Sequence, residues 1–556
     1  MPAYSRTEAQ SRPARSDFTW LAFGGAVLAA LLWTCRGAPF GVPVADDYLF
    51  LARVRFQHPL EWFDSMGAAW YWRPVSRQLY YSALAPALLR APWIAAALHV
   101  VLLAALYVVL FRIARRIWDA PVAAAIASFP LLAEPTRLLL IWPSGAQHLI
   151  AMLGVAFAVH ETLSGRRITA AIALLVALLS HELGALALPA VPLVAFARGA
   201  RGRALAGWLA ASAVPAALWL GGRAVAATHG MRLPPGGDLA HFAWGQVPEI
   251  LMRSLIAQLN LESLGDPVRV AVRIAYLLIA ALALLVFALD RAARRRLMNA
   301  TPALAGALVW FVVGVVPFAG LLPDWNGWHA ALPGLGLGFA ALGALGSGRT
   351  WLAVAIAAVR LVALLALPGP RDVTGVPPAT ASLLSFERVT RLQRVVGSTH
   401  EALTSRFATL PTGAEVRYWS VPLLSEVGYS EARALRVWYG DSTLHWRKFG
   451  GEAGLEQRVD ALIDYNLPSA SPAVVIEPIA IARMRDASRA MRAGRLAEAD
   501  SLLLAALEAQ PRIALPFEGA VLRVRASIAA ARGDTTAERE LLSRIRTRLP
   551  EGPRPR

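Results

Sequence analysis

The chain has 556 residues, 56% of them hydrophobic and 17% charged, with a mean hydropathy of +0.48. Soluble domains carry about a quarter charged residues, so a chain that is water-soluble throughout is excluded. The formal charge of +18 falls in short arginine clusters between apolar runs, the pattern of membrane-flanking loops, which argues against a nucleic-acid-binding groove.

Several apolar runs are long enough to span a bilayer. Cys35 is the only cysteine, so no intrachain disulfide can form. Lys448 is the only lysine, and the excess of arginine and alanine suits a GC-rich bacterial genome. Arg6, Arg12 and Arg15 place residues 1–17 in the cytoplasm, ahead of a first helix over about 18–35. No small-x-small cleavage site follows it, and Leu32-Trp33-Thr34 before Cys35 is too bulky for lipoprotein processing, so this helix is retained.

A long outer loop, 36–91, follows. It carries the adjacent acids Asp46 and Asp47, a short interfacial helix expected over Pro59–Trp70, and Arg73 and Arg77. Trp62, Trp70 and Trp72 suit an aromatic belt. Further spans are expected at about 94–113, 120–132, 148–160, 168–180, 184–197 and 205–220. After a second outer loop, 223–267, come spans at about 268–289, 303–321, 330–346 and 351–367. The fold class is therefore mainly α: a polytopic membrane protein of about eleven transmembrane helices, with arginine clusters on one side. Segments 120–132 and 168–180 are short. They lead to polar turns at Glu134 and at Ser180-His181-Glu182, on the same outer side as Asp46 and Asp47, and such segments commonly line a cavity.

Residues 368–480 read as a small outer α/β module. Pro368–Val376 is a linker, a helix is expected over about 383–409, and strands at 416–421, 435–439 and 473–476. Residues 481–556 form a tetratricopeptide-like helical tail in which the Gly494-to-Pro511 interval recurs from Gly533 to Pro550. Two such units fall short of a free-standing solenoid, so the tail is expected to pack on the preceding module, and residues 483–550 are a candidate surface for a protein partner.

Neighbouring acids cannot share one face, so Asp46 and Asp47 must differ in role: one facing a cavity, the other capping the next helix or holding its partner. A carboxylate here can deprotonate an acceptor hydroxyl or ligate a divalent cation, Mg or Mn, through oxygen. Arg73 and Arg77 suit either a phosphate at membrane depth or snorkelling to lipid headgroups. Glu134, His181-Glu182 and Trp328-His329 read as a solvated loop, a polar turn and an interfacial anchor, or as ligand-binding groups at the membrane face. His99, His148 and His160 lie in apolar runs and read as packing or interface residues. The chain carries no Walker loop, dinucleotide fingerprint or zinc-type spacing, so an activated donor would come from the membrane.

Taken in order, these motifs resemble the multi-spanning GT-C glycosyltransferases, particularly the protein O-mannosyltransferase-like and transmembrane-plus-tetratricopeptide members. The likeness lies in Ala45-Asp46-Asp47-Tyr48-Leu49 in the first outer loop and in Tyr71-Trp72-Arg73-Pro74-Val75-Ser76-Arg77, with His99 in the span after it. It continues in Phe129-Pro130 with Glu134 and in Leu178-Leu179-Ser180-His181-Glu182, and more weakly in Trp328-His329 through Gly336. The resemblance covers about residues 18–367. It implies inverting transfer of a sugar from a polyprenyl-phosphate carrier to a protein or glycan acceptor at the outer face of a bacterial inner membrane. It also implies that Asp46 is the base or the metal-coordinating acid and Asp47 its partner. Glu134 and Glu182 would support the acceptor or cation, and Arg73 would steady the carrier phosphate. Where the family has a Ser-Lys-Glu turn this chain has His181, and where the family has Arg-Tyr it has Trp328-His329. These departures leave two readings open: altered donor selectivity, or an inactive membrane scaffold that assembles envelope proteins through its tail.

Overall fold

The computed structural model describes residues 15–57, 61–66, 71–229, 242–370, 384–419, 421, 425–450, 457–466, 471–512 and 514–548. The chain divides into two units. A helical unit comprises Met1–Gly41, Leu60–Arg371 and Pro377–Glu387, and a mixed unit comprises Val42–Pro59, Asp372–Val376 and Arg388–Arg556.

In the helical unit, six helices among the described residues have the length and apolarity to cross a membrane: Trp93–Ala114, Pro143–Leu163, Gly202–Thr228, Asp266–Leu289, Arg291–Leu322 and Gly327–Gly348. Four shorter apolar helices accompany them: Phe18–Thr34, Arg167–Ser180, Glu182–Ala197 and Thr350–Leu365. The segment expected over 120–132 is helical only from Ala120 to Ser128. Its N-terminus is capped by Asp119, whose carboxylate accepts the Val122 N–H at 3.3 Å. Pro130 lies just beyond its end, and a second short helix, Glu134–Ile141, begins with Glu134 itself.

The arginine clusters close one end of this bundle. Arg116 donates to the Leu163 carbonyl at 2.7 Å and the Ser164 hydroxyl at 2.7 Å. Arg296 donates to the Ser347 and Gly348 carbonyls, each at 2.9 Å. Asp290 pairs with Arg349 at 3.0 Å, and Thr350 donates to Asp119 at 2.7 Å. Guanidinium groups on the last carbonyls of helices satisfy otherwise orphaned acceptors and oppose the negative end of the helix dipole. The positive stripe in the sequence thus becomes a set of C-terminal caps, and the polar turns of the same helices lie at their other ends.

Two expectations for the loops need correction. The interfacial helix over Pro59–Trp70 is absent where the chain is described: Glu61–Met66 is turn and irregular backbone, and 58–60 and 67–70 lie outside the described residues. Asp64 accepts the Met66 N–H through its side chain at 2.9 Å, a local bond that competes with helix formation. In the second loop the helix from Gly202 runs on to Thr228, and a further helix covers Val247–Gln258, with 230–241 outside the described residues.

The mixed unit is built on a four-stranded sheet of order β2-β1-β3-β4, with β1 Glu415–Tyr418, β2 His445–Lys448, β3 Ala461–Tyr465 and β4 Ala473–Ile476. β1 pairs in parallel with β2 and β3, and β3 pairs antiparallel with β4, with Leu462 opposite Ile476. The strand expected at 435–439 is instead the helix Arg433–Tyr439. Ala434, Leu435 and Val437 bury one side of it, and Gly440 ends it in the left-handed conformation, φ 70°. Residues 42–57 fold with this unit. The helix Asp46–Phe56 packs on Arg433–Tyr439, where the Trp438 indole donates to Tyr48 Oη at 2.9 Å.

The tail consists of two helical pairs, Pro478–Arg492 with Leu496–Glu508 and Leu515–Ala531 with Thr535–Arg548. Each pair turns at a glycine with positive φ, Gly494 at 74° and Gly533 at 75°. Leu462, Val474 and Ile476 of the sheet share one core with Ile481, Leu503, Phe517 and Val521, so the tail packs on the module that precedes it.

Candidate functional site

In the helical unit three separate segments meet around Arg73. Pro74 opens a wide π-turn over Val75–Leu79, in which the Leu79 N–H reaches the Pro74 carbonyl at 2.9 Å. Such insertions recur at functional sites because they re-aim side chains within a helix. Ser76 in this turn donates to the Ser180 carbonyl at 2.7 Å, which ties it to the end of the helix Arg167–Ser180. Glu182 follows two residues on in the chain. The buried Arg73 guanidinium donates through Nε to Glu182 Oε2 at 2.8 Å, pairs with the same oxygen through Nη2 at 2.5 Å, and donates through Nη1 to Gln147 Oε1 at 2.7 Å. The Tyr71 ring lies 4.3 Å from its carbon centre. Arg77, also buried, donates to the Ser65 and Tyr71 carbonyls at 3.2 and 3.1 Å and to Gln147 at 3.4 Å.

Three histidines surround this pair. The His148 and His181 rings lie 4.5 Å apart, and His329 stacks on Phe318 at 4.7 Å. All three interact electrostatically with Arg73. His181 caps the short 3-10 helix Glu182–Leu186, its Nδ1 accepting the Leu183 N–H at 3.2 Å. His329 instead closes a capping box from the third position of its turn, its Nδ1 accepting the N–H of the N-cap residue Asn326 at 3.2 Å. Two polar atoms are left buried and without a hydrogen bond, His148 Nδ1 and Glu182 Oε1.

Glu134 occupies the neighbouring turn. A Cβ added at Gly327 would lie 3.0 Å from Pro135 Cγ and 3.7 Å from Glu262 Oε2, so the Glu134 and His329 turns are adjacent. The buried Asn260 clamps the first of these turns. Its Oδ1 accepts the Glu134 N–H at 2.7 Å and its Nδ2 donates to the Leu132 carbonyl at 2.6 Å. Asn260 holds φ 60°, which asparagine tolerates better than most residues. Burial, with Glu262 nearby, pushes the Glu134 carboxyl up to about 8. Its Oε2 accepts the Ser263 N–H at 3.4 Å.

Asp46 and Asp47 belong to the mixed unit. Asp47 is fully buried, and its Oδ2 accepts the Val44 N–H at 2.7 Å. Asp46 is exposed, and its carboxylate makes no hydrogen bond among the described residues. It lines an open cleft of about 460 Å³ with Tyr418, Glu426, Glu431, Arg433 and Trp446. Glu431 pairs with Arg433 at 3.1 Å and Glu426 accepts from Tyr418 Oη at 3.0 Å. The donor set around Asp46 does not fit the divalent cation expected there. Among the described residues no group of three or more His, Cys, Asp or Glu side chains is placed to hold a metal ion.

Arg73, Arg77, Glu182, His181 and His329 are therefore brought together, with Glu134 in the adjoining turn. Gln147 and His148 join them without having been singled out from the sequence. The signal available was a Gln-His pair directly after Pro143-Ser144-Gly145, at the start of an otherwise apolar run.

Comparison with protein-family models and with curated proteins gives no match. Solved structures similar to the chain include the crystal structure of ArnT from Cupriavidus metallidurans bound to undecaprenyl phosphate. It aligns with a TM-score of 0.37 and 16% identity over 78% of this chain and 86% of that one. Similarity at this level does not establish a common fold, and what ArnT binds is a property of ArnT.

Proposed function

We propose that the chain is a membrane glycosyltransferase that moves a sugar from a polyprenyl-phosphate carrier to a protein or envelope-glycan acceptor at the outer face of a bacterial inner membrane. In this reading the N-terminus is cytoplasmic and the mixed unit periplasmic. The observation that carries the proposal is the buried Arg73–Glu182–Gln147 cluster, because it joins two stretches on which the GT-C resemblance rests. An arginine held at the polar end of an apolar bundle suits the phosphate of a lipid carrier, whose tail the surrounding helices would accommodate.

The chemistry assigned is an inverting displacement. Asp46 takes the proton from the acceptor hydroxyl, whose oxygen bonds to the anomeric carbon. The bond from that carbon to the carrier phosphate oxygen breaks, and the phosphate leaves with the electron pair. Asp46 suits the base because its carboxylate has no structural task, whereas Asp47 supports it by fixing the start of the helix.

The proposal is tested by mass spectrometry of envelope proteins and glycolipids from a strain lacking the gene. Loss of one sugar modification, restored by the wild-type chain and not by Asp46→Asn, supports the enzyme. Restoration by Asp46→Asn, with failure of a chain lacking residues 483–556, supports a scaffold that acts through its tail.

A further inference from the structure

We infer that the cleft around Asp46 is a saccharide site: the acceptor is an envelope glycan, recognised by Tyr418, Glu426 and Trp446 of the mixed unit. The inference rests on the reading of Asp46 as the base and deepens it by choosing between the two acceptors. None of these three residues lies in 18–367, the stretch that carries the family resemblance.

The cleft is a polar pocket with an aromatic wall. Its volume of about 460 Å³ falls within the range of small-molecule sites, roughly 300–1,000 Å³. Tyr418 and Trp446 project from the neighbouring strands β1 and β2 and stack at 5.1 Å, and the buried Tyr429 supports Trp446 from 4.7 Å. Trp446 is held in place by these rings yet is only half-buried. The exposed Glu426 accepts from Tyr418 Oη through Oε1 at 3.0 Å, and its Oε2 makes no hydrogen bond among the described residues. Arg433 is anchored through Nη1 to Glu431 at 3.1 Å and to the Ser430 carbonyl at 3.2 Å, which leaves its other nitrogens as donors. A sugar ring carries hydroxyls around its rim and C–H groups on its faces. The Asp46 and Glu426 carboxylates and the Arg433 guanidinium suit the rim, and the Trp446 wall suits a face.

Backbone strain gathers at the same place. Ala45, Ser430 and Glu431 line the cleft with φ of 53°, 48° and 61°. Residues with a Cβ keep such conformations only where the surrounding fold imposes them, as it does at ligand clamps. Here the Gly428 carbonyl accepts the Ala45 N–H at 2.9 Å. A peptide acceptor is served less well. Ala45 and Val427 are the only aliphatic lining among the described residues, too little for an amphipathic helix. An added strand would have to join the edge strand β2, whose Arg447 and Lys448 are exposed charges of the kind that guard sheet edges.

The test measures fluorescence anisotropy of end-labelled oligosaccharides, released by mild acid from the envelope of a strain lacking the gene, on the purified full chain in detergent. Labelled tryptic peptides from the same envelope are the comparison. The oligosaccharides should bind the wild type saturably and the peptides should not. Trp446→Ala should bind them about tenfold more weakly, and Glu426→Gln about fivefold. Glutamine Oε1 still accepts from Tyr418, so Glu426→Gln should melt with the wild type and carries the comparison should Trp446→Ala fail to fold. Wild-type affinity in both variants, or saturable binding of the peptides alone, overturns the saccharide site. Weakened binding in the variants with no sugar transfer by the wild type keeps the site and removes the transferase. Transfer by the wild type, with an unchanged KM for the oligosaccharides in both variants, does the reverse.

Discussion

Arg73 and Glu182 stand 109 residues apart in the chain, yet Arg73 Nη2 lies 2.5 Å from Glu182 Oε2, with Nε of the same guanidinium on the same oxygen. Gln147, from a third segment, holds the remaining arm. A planar fork filled on both sides fixes three polar turns to one another at one end of an apolar bundle.

Breaking that fork should cost stability before it costs anything else. Glu182→Gln leaves a buried guanidinium without its countercharge and is expected to destabilise the chain by roughly 3 kcal/mol. Arg73→Lys keeps the charge, yet a single ammonium cannot hold Glu182 and Gln147 together, so a smaller loss is expected. Thermal unfolding in detergent measures both. Melting of Glu182→Gln at the wild-type temperature would contradict the assigned geometry.

The acidic pair should separate by phenotype. Asp47 holds the Val44 N–H, so Asp47→Ala should lower stability by about 1 kcal/mol or more. Asp46 is exposed with its carboxylate unbonded, and Asp46→Asn should stay within about 0.5 kcal/mol of wild type. Chemical denaturation followed through the Trp438 environment reports both, because Trp438 is bonded to Tyr48 of the same helix.

A pH dependence follows from Asp464, fully buried in the mixed unit. Its carboxyl accepts the Tyr465 N–H at 2.9 Å and the Phe517 N–H at 2.8 Å, linking β3 to the tail. Burial dominates and pushes it up to about 7 from 3.8. Between those values the folded state binds more protons than the unfolded one, so unfolding free energy falls as pH rises through that window and levels off above it. Hydrogen exchange in 461–465 and 514–531 should quicken from pH 4.5 to 7 beyond the intrinsic rise in exchange rate. Asp464→Asn should remove that excess.

The glycines at the tail turns provide a conformational test. A Cβ added at Gly494 or Gly533 meets nothing within 4 Å, and both hold positive φ. Gly494→Ala and Gly533→Ala should each cost about 1 kcal/mol through backbone strain alone. Gly494→Asn, which tolerates that conformation, should recover part of it. Equilibrium unfolding of the full chain distinguishes the three.

Much of the helical unit was legible because crossing a bilayer imposes length and apolarity on the sequence itself. The Arg73 and His181-Glu182 turns stood out as polar residues between apolar runs. What stayed hidden depends on contacts distant in sequence. Residues 42–57 fold with a sheet that begins at Glu415, a pairing no local pattern announces. Glu134 read as a solvated loop acid or a ligand, and only burial and the arrival of Glu262 in the fold push its carboxyl up. The segment 435–439 has the composition of a strand, and Gly440 with the packed helix Asp46–Phe56 makes it a helix. Asp46 and Asp47 are indistinguishable by type, and the Val44 N–H separates them.

The most direct test of the central claim follows a labelled sugar from undecaprenyl-phosphate-linked donors in membranes expressing either wild type or Asp46→Asn at equal levels. Label should pass to an envelope acceptor with the wild type and fall to background with Asp46→Asn. Full transfer by Asp46→Asn would contradict the assignment.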